Sequence, residues 1–150
     1  MSQYISDELR QLVIARAENL CEYCLIDLDD TFFGGEVDHV ISLKHEGVTT
    51  ADNLAYTCQP CNRNKGSDLG SISRKSRRLI RFFNPRTDHW SDHFVLNAAF
   101  IRPLTGIGEV TARILGFNQE ERLLERQGLI EDGHYPSPAA KKRMRKRRKR

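Results

Sequence analysis

Four cysteines, arranged as two C-x-x-C pairs, constrain the fold of this 150-residue chain more than any other feature. Cys21 and Cys24 form the first pair in CEYC, and Cys58 and Cys61 form the second in CQPC. Two such pairs are typical of a tetrahedral Zn²⁺ site, to which each pair supplies two thiolates from a tight turn. Because four thiolates complete the coordination shell, such an ion is structural and holds no reactive water. A redox-active pair or an iron site is the alternative.

Length and hydrophobic patterning predict a single water-soluble domain. The hydrophobic share of 39% is enough for a modest core. The N-terminal stretch MSQYISDELRQL is charged and lacks the apolar segment of a signal peptide. No apolar run is long enough to span a membrane. We therefore expect a cytoplasmic protein without a membrane partner.

The last ten residues, KKRMRKRRKR, hold nine of the 24 basic residues and no acid, so residues 1–140 carry a formal charge of −5. Like charges repel and little apolar surface is available to bury, so we predict that residues 134–150 are disordered. Such a tail attracts a polyanion, with nucleic acid as the first candidate and a ribosome or acidic membrane surface as others. A nuclear-localisation or merely solubilising tail is the alternative.

Between and after the cysteine pairs, the predicted order is strand, loop, strand, helix. EVDHVIS is predicted as a strand, LKHEGVTTADNL as a loop, LAYTC as a second strand, and CNRNKG as the start of a helix. An amphipathic helix capped by Ser6 or Asp7, with Leu9, Leu12, Val13 and Ala17 on one face, precedes the first pair. Downstream, we predict a strand or turn near residues 100–107 and helices that begin after Thr105 and Asn118.

The combination of VDHVI at residues 37–41, NL at 53–54 and CQPCNRNKG at 58–66 resembles the HNH endonucleases. The later stretch from FNPR through LTGIGEVTARILGFNQ also looks like the downstream part of a bacterial HNH subfamily. The resemblance implies an α+β protein whose core is the ββα-metal (His-Me finger) fold with structural zinc knuckles and flanking helices. It implies a nuclease domain over residues 1–133, with the core motif at 21–66 and an extension at 67–133, followed by the basic tail at 134–150.

What the resemblance implies about activity is divalent-metal-dependent hydrolysis of DNA, leaving 5′-phosphate and 3′-hydroxyl ends. His39 matches the general base, Asp38 and Asn62 match the residues that hold Mg²⁺ or Mn²⁺, and Asn53 matches a residue that braces the loop beside the histidine. Neutral imidazole is a suitable base, and hard cations prefer oxygen ligands. Neighbouring strand residues point to opposite faces, so Asp38 and His39 can act together only where the strand ends, twists or bulges.

The basic residues that follow the motif predict contacts with DNA, or alternatively with RNA. We expect Lys65 near the scissile phosphate, Arg63 against the nucleic-acid backbone, and Arg86 as a further phosphate contact. His45 is interpreted as a loop residue, and His89 and His93 as packing or hydrogen-bonding residues. We predict that one wall of a DNA-binding groove is formed by Arg74, Lys75, Arg77, Arg78 and Arg81. We predict that the hydrophobic core includes Leu79, Ile80, Phe82 and Phe83.

A non-catalytic zinc module that only binds nucleic acid is the rival interpretation. It explains the cysteine pairs and the basic tail. It leaves the placement of Asp38, His39 and Asn62 as coincidence. The sequence leaves the oligomeric state and the target preference open.

Overall fold

A computed structural model describes residues 4–147. Helices and three antiparallel two-stranded sheets make up this range, and each strand pairs with its neighbour in the chain. The α+β class predicted from the sequence is confirmed. The elements are α1 (Asp7–Arg16), β1 (Gly35–His39), β2 (Leu54–Cys58), α2 (Gln59–Lys65), β3 (Gly70–Ile72), β4 (Leu79–Arg81), α3 (Trp90–His93), β5 (Phe94–Asn97), β6 (Phe100–Pro103), α4 (Gly106–Ile114), α5 (Glu120–Glu131) and α6 (Pro138–Met144).

The unit β1–β2–α2 has the predicted order of strand, loop, strand and helix. In the antiparallel pair, Asp38 lies opposite Ala55 and His39 opposite Leu54. All of β2 is buried, as expected for its largely apolar sequence. The chain passes directly from β2 into α2, which ends at Gly66 with a positive φ of 51°. The pairing of β1 with β2 ends at His39, so the candidate catalytic pair lies at the end of β1.

Helix α1 begins as predicted, because the Ser6 side chain accepts a hydrogen bond from Leu9 N at 3.2 Å. Val13 and Ala17 are fully buried. Leu12, which we expected on the same face, is 47% exposed, so that part of the prediction is wrong. One residue corresponds to about 100° of helical rotation, which carries Leu12 away from the buried stripe.

The hairpin β3–β4 packs against α4 on one side. Phe82 and Phe83 are buried as predicted, and Ile80 packs partly against the core. Leu79 is 74% exposed, so its predicted core position is wrong. The physical reason is that a two-stranded hairpin covered by one helix leaves its other face in solvent.

The helices after the hairpin begin close to the predicted positions. Thr105 caps α4 by accepting from Gly108 N at 3.0 Å. The cap predicted at Asn118 is wrong, since α5 begins after Gln119 without a side-chain cap. Asn118 instead makes hydrogen bonds of 2.9 and 2.8 Å to both backbone groups of Ile101. It thereby joins the start of α5 to β6.

The disorder predicted for residues 134–150 is wrong for the described part of that segment, which contains α6. Tyr135 and Ala140 are buried, and the Tyr135 hydroxyl donates to Cys24 O at 3.0 Å. Arg143 donates to Arg16 O at 3.0 Å and, with Lys142, pairs with Glu18. These anchors offset the charge repulsion that composition alone predicts. Residues 148–150 lie outside the described range.

Over residues 4–147, the helices are too short or too polar to cross a lipid bilayer.

Candidate metal centre and active site

The four cysteines form one buried cluster. Their Sγ atoms all lie within 4.8 Å of one another, and Cys24 Sγ is 3.7 Å from Cys58 Sγ. Zn–S bonds of about 2.3 Å in a tetrahedron require sulfur–sulfur distances of about 3.8 Å. The thiols form no disulfide with each other. The cluster therefore fits a zinc ion in size and donor type.

Local backbone geometry presents the thiols. In the first pair, Leu25 N donates to Cys21 O at 2.8 Å and Leu25 adopts a left-handed φ of 63°. In the second pair, Cys58 ends β2 and Cys61 lies in the first turn of α2. Hydrogen bonds from the other cysteines lower the pKa of Cys24 well below its ordinary value, whereas burial raises the pKa of Cys21 and hydrogen bonds within the cluster raise the pKa of Cys58. Without a metal ion, thiolate character is therefore favoured at Cys24 and disfavoured at Cys21 and Cys58.

Arg122 of α5 contacts the cluster, and sequence reasoning missed it. Its buried guanidinium donates to Cys61 Sγ at 3.1 Å and to Cys58 Sγ at 3.6 Å. Burial by itself lowers the pKa of Arg122, but the charges of the neighbouring thiolates outweigh it and raise that pKa. No local pattern near Arg122 signals this contact, because it depends on the packing of α5 against α2.

Asp38 and Lys65 meet between β1 and α2. Lys65 Nζ lies 3.5 Å from Asp38 Oδ2 and donates to His39 O at 3.1 Å. Burial raises the pKa of Asp38, and the nearby Lys65 charge opposes that shift. Lys65 is only 2% exposed, and its position near the scissile phosphate stays a prediction. The short helix α2 turns Lys65 inward, where its charge is satisfied by Asp38 and the end of β1.

Asn62 lies one helical turn before Lys65, on the same side of α2. Its Nδ2 donates to the carboxylate of Glu36, which is exposed. Glu36 and Asp38 are two residues apart in β1 and share a face of the strand. Glu36, Asp38, Asn62 and Lys65 therefore border one junction between β1 and α2. Sequence reasoning missed Glu36, although its spacing of two residues from Asp38 in a predicted strand indicates that both carboxylates lie on the same face.

His39 is the last residue of β1, and its ring is half-buried. Its Nε2 lies 2.8 Å from Thr49 Oγ1 in the loop between β1 and β2. When Nε2 carries the proton and donates to Thr49, Nδ1 is left as the proton acceptor. The hydroxyl of Thr49 thus takes the orienting position that a carbonyl or carboxylate more often occupies.

Asn53 braces the loop that follows His39. Its Oδ1 accepts from Ile41 N at 2.9 Å, and its Nδ2 donates to Ile41 O at 2.9 Å and Val48 O at 2.8 Å. Gly47 makes this close approach possible, since a Cβ there would lie 1.7 Å from Ile41 O. These bonds hold the loop against the end of β1.

The turn of hairpin β3–β4 carries exposed cations at Arg74, Lys75, Arg77 and Arg78. Buried Ser73 fixes the turn, because its Oγ accepts from Lys75 N and Ser76 N, both at 3.2 Å. Beside the hairpin is a cavity of about 490 Å³, whose walls include His45, Leu79 and Arg81. Arg63 is also exposed, on α2. The hairpin and the loop carrying His45 therefore form two walls of one groove.

Other basic and histidine side chains have structural roles. Arg86 pairs with buried Glu22 and donates to Leu54 O at 3.2 Å, so its predicted phosphate contact is wrong. Arg81 is held by two hydrogen bonds to Asp88. His93 Nδ1 lies 2.7 Å from Thr105 Oγ1, which confirms the hydrogen-bonding role predicted for it. His89 is exposed at the start of α3.

Comparison with protein families finds one match. Residues 21–68 match the family model described as HNH endonuclease. Searches of curated proteins and of solved structures found no match. The matched segment begins at the first cysteine pair and ends just after α2, so it contains the whole β1–β2–α2 unit and all four clustered thiols. Residues 21–68 of this α+β chain are therefore similar to the HNH endonuclease family.

Proposed function

We propose that this protein is a divalent-metal-dependent endonuclease that hydrolyses phosphodiester bonds of DNA and leaves 5′-phosphate and 3′-hydroxyl ends. The observation that carries the proposal is the position of His39. It lies at the end of β1 inside the HNH match, with Nε2 2.8 Å from Thr49 Oγ1, and Nδ1 is the proton acceptor when Nε2 carries the proton. RNA is the alternative substrate with the same chemistry.

The proposed catalytic cation is Mg²⁺ or Mn²⁺, held by Asp38 and Asn62. The donor set fits, because a carboxylate and an amide carbonyl are oxygen ligands that hard cations prefer. Asp38 Oδ2 is buried and its charged neighbour is Lys65 Nζ at 3.5 Å, so a cation bound there would share the carboxylate with Lys65. When bound, the cation neutralises the phosphate and stabilises the departing 3′ oxygen as a Lewis acid.

In this proposal, His39 removes a proton from the attacking water through Nδ1. Thr49 holds the opposite side of the ring, which fixes its orientation. Lys65 fixes the backbone of His39 through the carbonyl oxygen, and Asn53 fixes the next turn of chain at Ile41. Asn53 and Lys65 therefore position the base without contacting the substrate.

We also propose that the cysteine cluster holds structural Zn²⁺, in a reducing compartment such as the cytoplasm. Reduced, buried thiols with tetrahedral spacing support this assignment. Metal analysis of the purified protein should give one zinc per chain. A coloured iron chromophore in the absorption spectrum would instead support the iron alternative.

The nuclease proposal is tested by conversion of supercoiled plasmid to nicked or linear DNA. Cleavage should require Mg²⁺ or Mn²⁺, stop with EDTA, and return when Mg²⁺ is restored. Zinc content is measured after the EDTA step, so that loss of the catalytic cation is separated from loss of the cysteine-bound ion. DNA binding without cleavage under any of these cations would support the non-catalytic zinc module.

The exposed turn of hairpin β3–β4 gives a prediction about binding. We expect the combined variant Arg74→Gln, Arg77→Gln and Arg78→Gln to bind DNA more weakly, because fewer phosphates are neutralised. The slope of log affinity against log salt should become less negative by about 2–3 for three lost contacts. Fluorescence anisotropy over a salt series measures this slope.

The control for the hairpin variant is Arg10→Gln, which removes a cation on α1 and leaves the hairpin turn unchanged. It should leave the slope nearly unchanged. The cleavage rate at saturating protein should be similar in the hairpin variant and the wild type, because the turn binds rather than reacts. An equal change of slope per removed charge in both variants would exclude the hairpin as a specific phosphate contact.

A further inference from the structure

Two contacts reach the cysteine cluster from outside the HNH match. Arg122 of α5 donates to the sulfurs of the second pair, Cys58 and Cys61. Tyr135, just before α6, donates to the carbonyl oxygen of Cys24 in the first pair. The C-terminal extension therefore touches both pairs, but only Arg122 contributes a charge.

The charge matters because the centre is buried and anionic. Four thiolates around Zn²⁺ leave two formal negative charges, and all four cysteines are at most 3% exposed. A buried charge without a counterion is costly. Among residues 4–147, Arg122 is the one cationic side chain that donates a hydrogen bond to a cysteine sulfur.

The geometry of Arg122 is directed at the sulfurs. Its Nη1 donates to Leu115 O at 2.7 Å, which fixes the plane of the guanidinium. The guanidinium carbon lies 5.9 Å from the centroid of the Phe117 ring. Leu115 O and the Phe117 ring thus hold the guanidinium in place. Its Nη2 donates to Cys61 Sγ at 3.1 Å and to Cys58 Sγ at 3.6 Å.

We propose that Arg122 is the counterion of the metal centre: its guanidinium neutralises part of the thiolate charge, tightens zinc binding, and couples the docking of α5 to the bound ion. The inference rests on the proposed zinc occupancy and not on nuclease activity. Arg122 acts here as a positioning residue, through the ligands and not on the substrate. Hydrogen bonds donated to metal ligands commonly contribute about 10- to 100-fold to metal affinity.

The chain offers a matched control in Arg126, one helical turn further along α5. Arg126 is 2% exposed, and its guanidinium donates to Ala99 O, Phe117 O and Asn118 Oδ1, with no sulfur among its partners. The variants Arg122→Met and Arg126→Met therefore remove equally buried guanidinium groups from the same helix. The two variants differ because only Arg122 donates hydrogen bonds to the cysteine sulfurs.

The test is competition for zinc between the full-length protein and a chromogenic chelator, with the metal alone as the probe. We expect Arg122→Met to weaken zinc affinity by about 10- to 100-fold and Arg122→Lys to weaken it less, since it keeps the charge but loses the planar fork. Arg126→Met should leave zinc affinity nearly unchanged, although it lowers thermal stability. The sulfur-to-metal absorption band of the Co²⁺-substituted protein should change in the Arg122 variants only.

Equal zinc affinity in Arg122→Met and Arg126→Met would overturn the counterion role. If Arg122→Met does not fold, Arg122→Gln replaces it, because glutamine keeps a donor but removes the charge, and the same ordering is expected. Wild-type protein that contains no zinc would refute the zinc assignment itself. That outcome is independent of the comparison between variants, so the two failures are distinguishable.

Discussion

DNA cleavage by the His39→Ala protein is expected to be about 10²- to 10⁴-fold slower than by the wild type, which is the usual contribution of a general base. Alanine cannot accept the proton that the attacking water must lose. The fold should persist, because the half-buried ring makes one side-chain hydrogen bond, to Thr49, of a kind that contributes about 1 kcal/mol. Single-turnover cleavage with saturating protein measures the chemical step, and fluorescence anisotropy checks that DNA binding is retained.

His45→Ala is the matched control for this experiment. His45 lies six residues later, exposed in the loop that forms one wall of the groove. Its loss should alter cleavage only slightly while removing the same imidazole from the same neighbourhood. If His45→Ala is the inactive variant and His39→Ala retains turnover, the general base is His45 and our assignment is wrong.

Removal of the zinc that we propose at the cysteine cluster should abolish the native fold of residues 21–68. Structural zinc contributes about 10–16 kcal/mol of binding free energy in zinc-finger peptides at neutral pH. That amount is comparable to the whole free energy of unfolding of a typical domain, about 5–15 kcal/mol. The four cysteines are continuous with the hydrophobic core, so loss of the ion would remove a cross-link at the centre of the molecule.

Trp90 provides a direct reporter of this loss. It is the single tryptophan of the chain, and its indole N–H donates to Tyr23 O, between the two cysteines of the first pair, at 2.8 Å. Removal of zinc by a strong chelator should shift Trp90 emission to longer wavelength and reduce the far-ultraviolet circular dichroism signal. Re-addition of Zn²⁺ should reverse both changes, whereas Mg²⁺ should not. An unchanged thermal unfolding midpoint after verified zinc removal would contradict this prediction.

The β1–β2–α2 unit was predictable because its signals are local. The spacing of the cysteine pairs sets the metal ligands, and a strand alternates its side chains with a fixed period. A helix that starts at Cys58 and stops at Gly66 follows from the end of an apolar strand and a residue that tolerates positive φ. The position of the zinc cluster and the α+β class needed no information from distant parts of the chain.

The prediction for Arg86 failed because packing decided its environment. Arg86 was expected to contact a phosphate, but it pairs with the buried carboxylate of Glu22, as Lys65 pairs with the partly buried carboxylate of Asp38. The basic tail was predicted as disordered from its charge, but Tyr135 and Ala140 provide enough buried surface to anchor α6. A cation on a surface and a cation in a buried pair look the same in a sequence.

The sequence by itself therefore determined the clustered cysteines and the strand–strand–helix order, because each depends on local spacing, and its resemblance to the HNH endonucleases indicated the candidate residues Asp38, His39 and Asn62. Only the tertiary structure decided that Thr49 holds the His39 ring, that Lys65 fixes the end of β1, and that Arg122 reaches the cysteine sulfurs. Hydrogen bonds and ion pairs act over a few ångströms in space, whatever the separation in sequence. Arg122 lies 61 residues from Cys61 along the chain, and only the packing of α5 brings the two together.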